Sequence, residues 1–317
     1  MIDLEHLTRR YGEFTAVDDV SFHIDRGEVV GLLGHNGAGK TTLMKILTGY
    51  LEPTAGTVRV DGLEIGRDTP AIQGRIGYLP ENCPLWPDMT VIDFLEYQAG
   101  LHRVPPERRR RAVATAIRRT ALKEKAAAAI HTLSRGFRQR VGVAQAILHD
   151  PDIVILDEPT NGLDPSQILH MRELIGELAQ RATVLVSTHI LQEVQAVCQR
   201  VVILRAGRKV MDARMDELQR GARLMVTVDG DEGAVRAALA AVPGVSDVEF
   251  AGAVGHCRRF GLQASEATAP AVSAAVHRAG FGLHALAFER RDLETLFTEI
   301  DRAAPAVVHA GEVRDAA

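Results

Sequence analysis

The segment Gly34-His35-Asn36-Gly37-Ala38-Gly39-Lys40-Thr41 constrains this 317-residue chain more than any other. It fits the spacing G-x-x-x-x-G-K-[ST] with no position missing. The glycines let the backbone curl so that successive N–H groups point at one phosphate chain. Lys40 offers a point charge to β- and γ-phosphates, and Thr41 offers a hydroxyl to Mg²⁺, with Thr42 beside it. The apolar run Val29–Leu33 precedes the loop, and the amphipathic stretch Leu43-Met44-Lys45-Ile46-Leu47 follows it. The loop therefore joins a buried strand to a helix whose positive dipole end faces the same anion. The competing reading, a merely flexible glycine-rich turn, does not explain that flanking order.

A second half-site lies 117 positions after Lys40. Asp157 ends the apolar run Ile153–Leu156, where a carboxylate leaves the sheet beside the phosphate loop and can hold Mg²⁺. The pleat turns Glu158 elsewhere, and it is the candidate to polarise an attacking water. Thr183–Ser187 and Val201–Leu204 are further short β-branched runs. Between them and Asp157, residues 166–181 put Ile168, Met171, Ile175 and Leu178 on one helical face. Strand, helix and strand in this order predict a parallel sheet with right-handed crossovers. Residues 2–8 and 57–61 alternate as antiparallel strands do, with a turn at Asp61-Gly62. Residues 88–148 read as mostly helical.

From about Arg220 the pattern changes to strand, helix, strand, strand, helix, strand (223–228, 232–241, 245–251, 256–262, 267–279, 283–289). That is the split βαβ order of a ferredoxin-like module. A closing helix is expected over Leu293–Ile300 and a frayed tail over 302–317. The expected domains are 1–218, containing a helical subdomain at about 87–148, then 219–301.

Composition excludes other classes. Apolar residues make up 46% and charged residues 25%, with a net charge of −4, so the chain is neither a disordered segment nor a globally basic nucleic-acid binder. No run reaches about 18 apolar residues, and the acidic N-terminus does not resemble a signal peptide. Cys83, Cys198 and Cys257 are scattered and read as free thiols in a reducing compartment. Cys257 follows His256, but the sequence offers the pair no further ligands for a metal.

Several more segments follow the phosphate loop in a fixed order: Leu133-Ser134-Arg135-Gly136-Phe137, Leu156-Asp157-Glu158-Pro159-Thr160, Gly162-Leu163-Asp164 and Ser187-Thr188-His189. On these motifs, residues 2–215 resemble the nucleotide-binding subunit of an ATP-binding cassette (ABC) transporter. The resemblance implies an α/β fold, a P-loop NTPase of the ABC ATPase type with a mixed sheet and a helical subdomain. To this the C-terminal pattern adds a small α+β ferredoxin-like domain. It also implies ATP and Mg²⁺ as ligands, with Glu158 and His189 catalytic and Thr41, Glu81 and Asp157 at the metal. Tyr11 would lie against adenine. Ser134 and Gly136 would cap the γ-phosphate held by the opposite subunit of a homodimer, with Asp164 at the seam.

Two departures stand out. The family usually has glycine at Arg135 and glutamine at Phe137 and Glu81. They resemble the branch serving drug, antibiotic-resistance, gliding-motility and copper-enzyme-maturation exporters. The resemblance further implies an integral membrane permease as partner and a peripheral position on the inner face of the cell membrane. Leu85, Trp86, Met89, Phe94 and Tyr97 either line a groove for that permease or fill the subdomain core. The nine basic residues between Arg103 and Lys125 read as a solvated helix face or a surface facing anionic lipid. A soluble relative acting on ribosomes or DNA is the alternative function. A regulatory module without turnover would lack Glu158 or His189.

Overall fold

The computed structural model describes residues 1–220 and 223–289. The expected helix at 293–300 and the tail at 302–317 lie outside them. Contacts divide the chain into Met1–Met215 and Asp216–Ala317, three residues before the expected boundary.

The first unit holds two sheets. In chain order its strands are β1 (Ile2–Tyr11), β2 (Phe14–Ile24), β3 (Val29–Leu33), β4 (Ala55–Val60), β5 (Leu63–Glu64), β6 (Ile76–Leu79), β7 (Ile153–Asp157), β8 (Thr183–Thr188), β9 (Arg200–Arg205) and β10 (Arg208–Arg214). Its helices are α1 (Lys40–Leu47), α2 (Thr69–Gln73), α3 (Val91–Leu101), α4 (Pro106–Arg119), α5 (Arg135–Ala146), α6 (Pro165–Ala179) and α7 (Leu191–Val197), and α8 (Met215–Arg220) begins at the division. One sheet has the order β2-β1-β4-β5 and is antiparallel. The other has the order β10-β9-β3-β8-β7-β6, parallel except for the edge strand β10.

Every residue of β3, β7 and β8 is buried, which is why these strands read as unbroken apolar runs. Helix α1 lies in the core between the sheets. Its Leu43, Met44, Ile46 and Leu47 join Leu4, Val17 and Val58 of the antiparallel sheet and Val30, Leu32, Ile155 and Leu185 of the parallel one. Each such side chain contributes roughly 1.5–3 kcal/mol when fully buried.

The second unit contains β11 (Arg223–Val228), α9 (Glu232–Ala240), β12 (Ser246–Val254), β13 (Cys257–Gln263), α10 (Ala269–Arg278) and β14 (Leu283–Glu289). The sheet order is β12-β13-β11-β14, all neighbours antiparallel, as two interleaved βαβ units require. Val235, Leu239, Val272 and Val276 of the two helices pack on Leu224, Val226, Phe260 and Leu262.

Four strands escaped the sequence, among them β5, whose two residues are too few to show a period. β2 has a left-handed residue at Asp19 and shifts register against β1, so its alternation breaks. β6 is four residues long and contains Gly77. β10 is a polar edge strand, Arg-Lys-Val-Met-Asp-Ala-Arg, with little buried surface to betray it.

Candidate functional site

Strand register builds the site. Leu33 pairs with Thr188, Asp157 with Ser187, and Leu79 with Leu156. The segments that follow these strands, carrying Gly34, Glu158, His189 and Glu81, therefore leave one carboxyl edge of the parallel sheet, where open α/β folds bind ligands.

The phosphate loop is tightly seated. A Cβ on Gly34 would lie 2.4 Å from the Leu204 carbonyl oxygen at the end of β9. Gly39 has φ +100°, and a Cβ there would lie 2.4 Å from the Ala16 carbonyl oxygen. Neither position admits a side chain. His35, Asn36 and Gly37 are exposed at the tip, while Ala38 is buried beneath it. Tyr11, 46% exposed at the end of β1, sits in the same β1–β2 hairpin that continues into Ala16, and the Arg9 guanidinium lies 4.7 Å above its ring.

The catalytic candidates converge. Buried Lys40 donates through Nζ to the Gly34 carbonyl at 2.6 Å and stands 3.3 Å from Glu158 Oε1. The latter contact is an ion pair without hydrogen-bond geometry. The other oxygen, Oε2, lies 2.9 Å from His189 Nδ1. Glu158 occupies the left-handed region at φ 47°, a strained conformation for a side chain of this size. Its backbone N–H donates to Ser187 Oγ at 2.9 Å, which holds the turn.

Asp157 is fully buried. Its Oδ1 accepts from Ser187 Oγ at 2.5 Å, and its Oδ2 has no hydrogen-bond partner. Burial pushes the carboxyl above its ordinary pKa, with the Ser187 and Thr41 hydroxyls acting in the opposite direction. A buried, half-satisfied carboxylate beside a threonine hydroxyl is the donor set of a hard divalent cation, so these residues fit Mg²⁺. Glu81 is exposed, two residues past the end of β6.

Ser134 and Gly136 lie elsewhere. Ser134 caps α5, accepting from the Phe137 N–H at 3.5 Å. Gly136 is covered by the Gln167 amide, 2.4 Å from where a Cβ would stand. Arg135 is exposed, and its guanidinium lies over Gly162, 2.5 Å from a Cβ position there. Phe137 takes Lys125 and Arg140 against its ring at 5.7 and 5.5 Å. Asp164 caps α6, accepting from the Gln167 N–H and the Ser166 hydroxyl, which hold its carboxyl below the usual range.

Among the groove candidates, Phe94 is fully buried and belongs to the core. Trp86 and Tyr97 stay exposed and pack ring on ring at 4.7 Å, with Leu85 and Met89 half-buried. From the basic run, Arg103, Arg108, Arg111, Arg118 and Arg119 border a cavity of about 760 Å³ with Arg181.

Sequence reasoning quoted Ser187, Thr160 and Thr188 within motifs but gave them no role, and it missed Glu193. Buried Glu193 accepts through Oε2 from the Thr160 hydroxyl at 2.6 Å and the Thr188 hydroxyl at 2.8 Å. It thus ties the turn after Glu158 to the strand end before His189. An acidic residue inside the otherwise buried face of α7 was the available signal.

Residues 17–161 match the ABC transporter family. The Nod factor export ATP-binding protein I of Ralstonia nicotianae is 35% identical over 262 residues, covering 81% of each chain. The chain belongs to the ABC transporter family. This cassette is therefore an ATP-binding, ATP-hydrolysing component that energises transport. It is also 32% identical over 241 residues to the bacitracin transport ATP-binding protein BcrA of Enterococcus faecalis, covering 75% of this chain and 77% of that one. Among solved structures, the dimeric post-hydrolysis ATP-binding cassette MJ0796, bound to ADP and phosphate, superposes with a TM-score of 0.62 at 26% identity. That match covers 68% of the cassette chain and 99% of the solved one.

Proposed function

We propose that the cassette works as a head-to-tail homodimer that hydrolyses ATP to drive export through a separate membrane-spanning permease. The position of Glu158 carries the hydrolytic part. One oxygen faces Lys40 at 3.3 Å and the other faces His189 at 2.9 Å, on the sheet edge where the phosphate loop opens. Lys40 and the N–H groups of the loop would hold the phosphates. Glu158 would accept a proton from the attacking water, and His189 would orient it. Thr41, Asp157 and Glu81 would hold Mg²⁺, which when bound neutralises charge on the β- and γ-oxygens. Tyr11 would stack on adenine.

Ser134, Gly136 and Asp164 would serve the nucleotide of the second copy. Gly136 packs against Gln167, whose N–H Asp164 accepts, so two of the three residues stand together, which supports that division of labour. The dimeric state of the solved cassette supports it as well. Among the described residues no helix is long and apolar enough to cross a membrane. Work at the inner face of the cell membrane would then proceed through a partner, and the exposed Trp86–Tyr97 pair within the subdomain at 87–148 offers an apolar contact. The name of the Nod factor relative supports export, and that of the bacitracin relative supports transport.

Glu158→Gln tests this reading. With ATP and Mg²⁺ it should sediment as a dimer, turn over at least about 100-fold more slowly, and co-purify with a polytopic membrane protein. A variant that stays monomeric overturns the dimer. A ribosomal or DNA-bound partner in place of a membrane protein overturns transport.

A further inference from the structure

We propose that the C-terminal unit carries a site for one Zn²⁺ ion, formed by His256, Cys257 and His284. The sequence expectation that His256 and Cys257 lack further ligands fails because the third comes from a strand 27 positions away. One ligand atom from each residue lies within 4.8 Å of the other two.

The fold explains the meeting. β13 and β14 flank β11 on either side, both antiparallel to it. Val228, at the end of β11, pairs with Arg258 on one side and Leu283 on the other. Cys257 and His284 are the neighbours of those two residues, so they stand on opposite flanks of the same strand end. His256 is carried there by the two-residue turn between Val254 and Cys257, which are themselves paired. The imidazoles of His256 and His284 approach edge to face at 5.5 Å.

The donor chemistry selects the ion. One thiol and two imidazoles are borderline-soft donors that favour Zn²⁺ over the hard Mg²⁺ of the nucleotide site. Tetrahedral bonds of about 2.0–2.3 Å place ligand atoms about 3.3–3.8 Å apart, so the cluster must close by about 1 Å. The two histidines are exposed and free to make that movement, while Cys257 is buried and fixed. Binding deprotonates the Cys257 thiol, whose proton passes to solvent, and the sulfur–zinc bond replaces it. Asp229 Oδ2 lies 3.6 Å from His284 Nε2, placing a carboxylate at the rim to orient that ring or fill the fourth position. Arg258 donates to the Gly230 carbonyl and braces the loop that carries Asp229.

The test uses the full chain, stripped of metal and nucleotide, titrated with Co²⁺ as a spectroscopic stand-in and then with Zn²⁺. One equivalent of Co²⁺ should give a thiolate-to-metal charge-transfer band. Zn²⁺ should abolish the band, and excess Mg²⁺ should not. Cys257→Ser should lack the band. His284→Ala, a change at an exposed residue, should keep the fold by circular dichroism and weaken Zn²⁺ binding at least tenfold without altering ATP hydrolysis. A band that persists in Cys257→Ser, no band in the parent chain, or unchanged affinity in folded His284→Ala would each overturn the site. None of these outcomes depends on the nucleotide reading.

Discussion

Ser187 Oγ donates its hydrogen to Asp157 Oδ1 across 2.5 Å and itself accepts the Glu158 N–H at 2.9 Å. One buried hydroxyl on β8 thus holds both the Asp157 carboxylate at the end of β7 and the backbone of the Glu158 turn that follows. Ser187→Ala leaves a buried carboxylate oxygen and a backbone N–H without partners. It should cost about 1–3 kcal/mol of stability. Because the turn at Glu158 loosens, kcat for ATP should fall at least tenfold while KM moves less. Equal loss in both parameters would show that Ser187 supports binding rather than placement of Glu158.

Asp157 gives a pH prediction. Its folded pKa is raised by burial, so the neutral form is the one the apo fold prefers. The stability associated with that preference is present below the ordinary carboxyl range and is lost as pH rises through the raised value. Asp157→Asn should therefore stabilise the metal-free chain at pH 7, by about 2–4 °C for each kcal/mol, and the gain should vanish toward pH 4. Mg²⁺ should raise the melting temperature of the parent and leave the variant unmoved. Thermal scans across pH, with and without Mg²⁺, read both effects.

His149 has the opposite sign. Burial and the neighbouring His102, stacked at 4.3 Å, push its pKa down to about 4. The Ile76 carbonyl, 3.2 Å from its Nε2, and then Asp150 act in the opposite direction. Stability from the neutral ring is full above pH 6.5 and is lost as pH falls toward 4, on the order of 2 kcal/mol. His149→Gln should flatten that acid slope in urea titrations. A slope that survives unchanged assigns the loss to other groups.

The glycines of the phosphate loop should separate by packing. Gly34→Ala places a methyl 2.4 Å from the Leu204 carbonyl oxygen, so backbone must move. ATP binding should weaken at least tenfold. Gly37 has φ +81° with nothing within 4 Å, so Gly37→Ala should cost only about 1–2 kcal/mol of backbone strain and leave binding nearer to normal. Calorimetric titration of both variants with ATP decides it.

The phosphate loop, the buried strands of the parallel sheet and the βαββαβ order were legible because each leaves a local signature. Fixed spacing marks the loop, β-branched runs mark β3, β7 and β8, and punctuation by turns marks β11 to β14. What stayed hidden depends on register. Nothing near Cys257 announces His284, because only the pairing of β13 and β14 with β11 brings them together. The role of Glu193 is equally non-local, since its partners Thr160 and Thr188 come from the ends of two different strands. Arg135 read as a departure from the family pattern, and only packing reveals that it covers Gly162.

The contact between Gly39 and the Ala16 carbonyl has a consequence for energy flow. Gly207 closes on the same Ala16 carbonyl, its N–H donates to Ala38, and its carbonyl accepts from Asp18. Three stretches far apart in the chain thus clamp the loop from below. The conformational freedom of this cradle is lost when the protein folds, not when nucleotide arrives. Free energy from phosphate contact is then left to act on whatever the loop's occupancy closes.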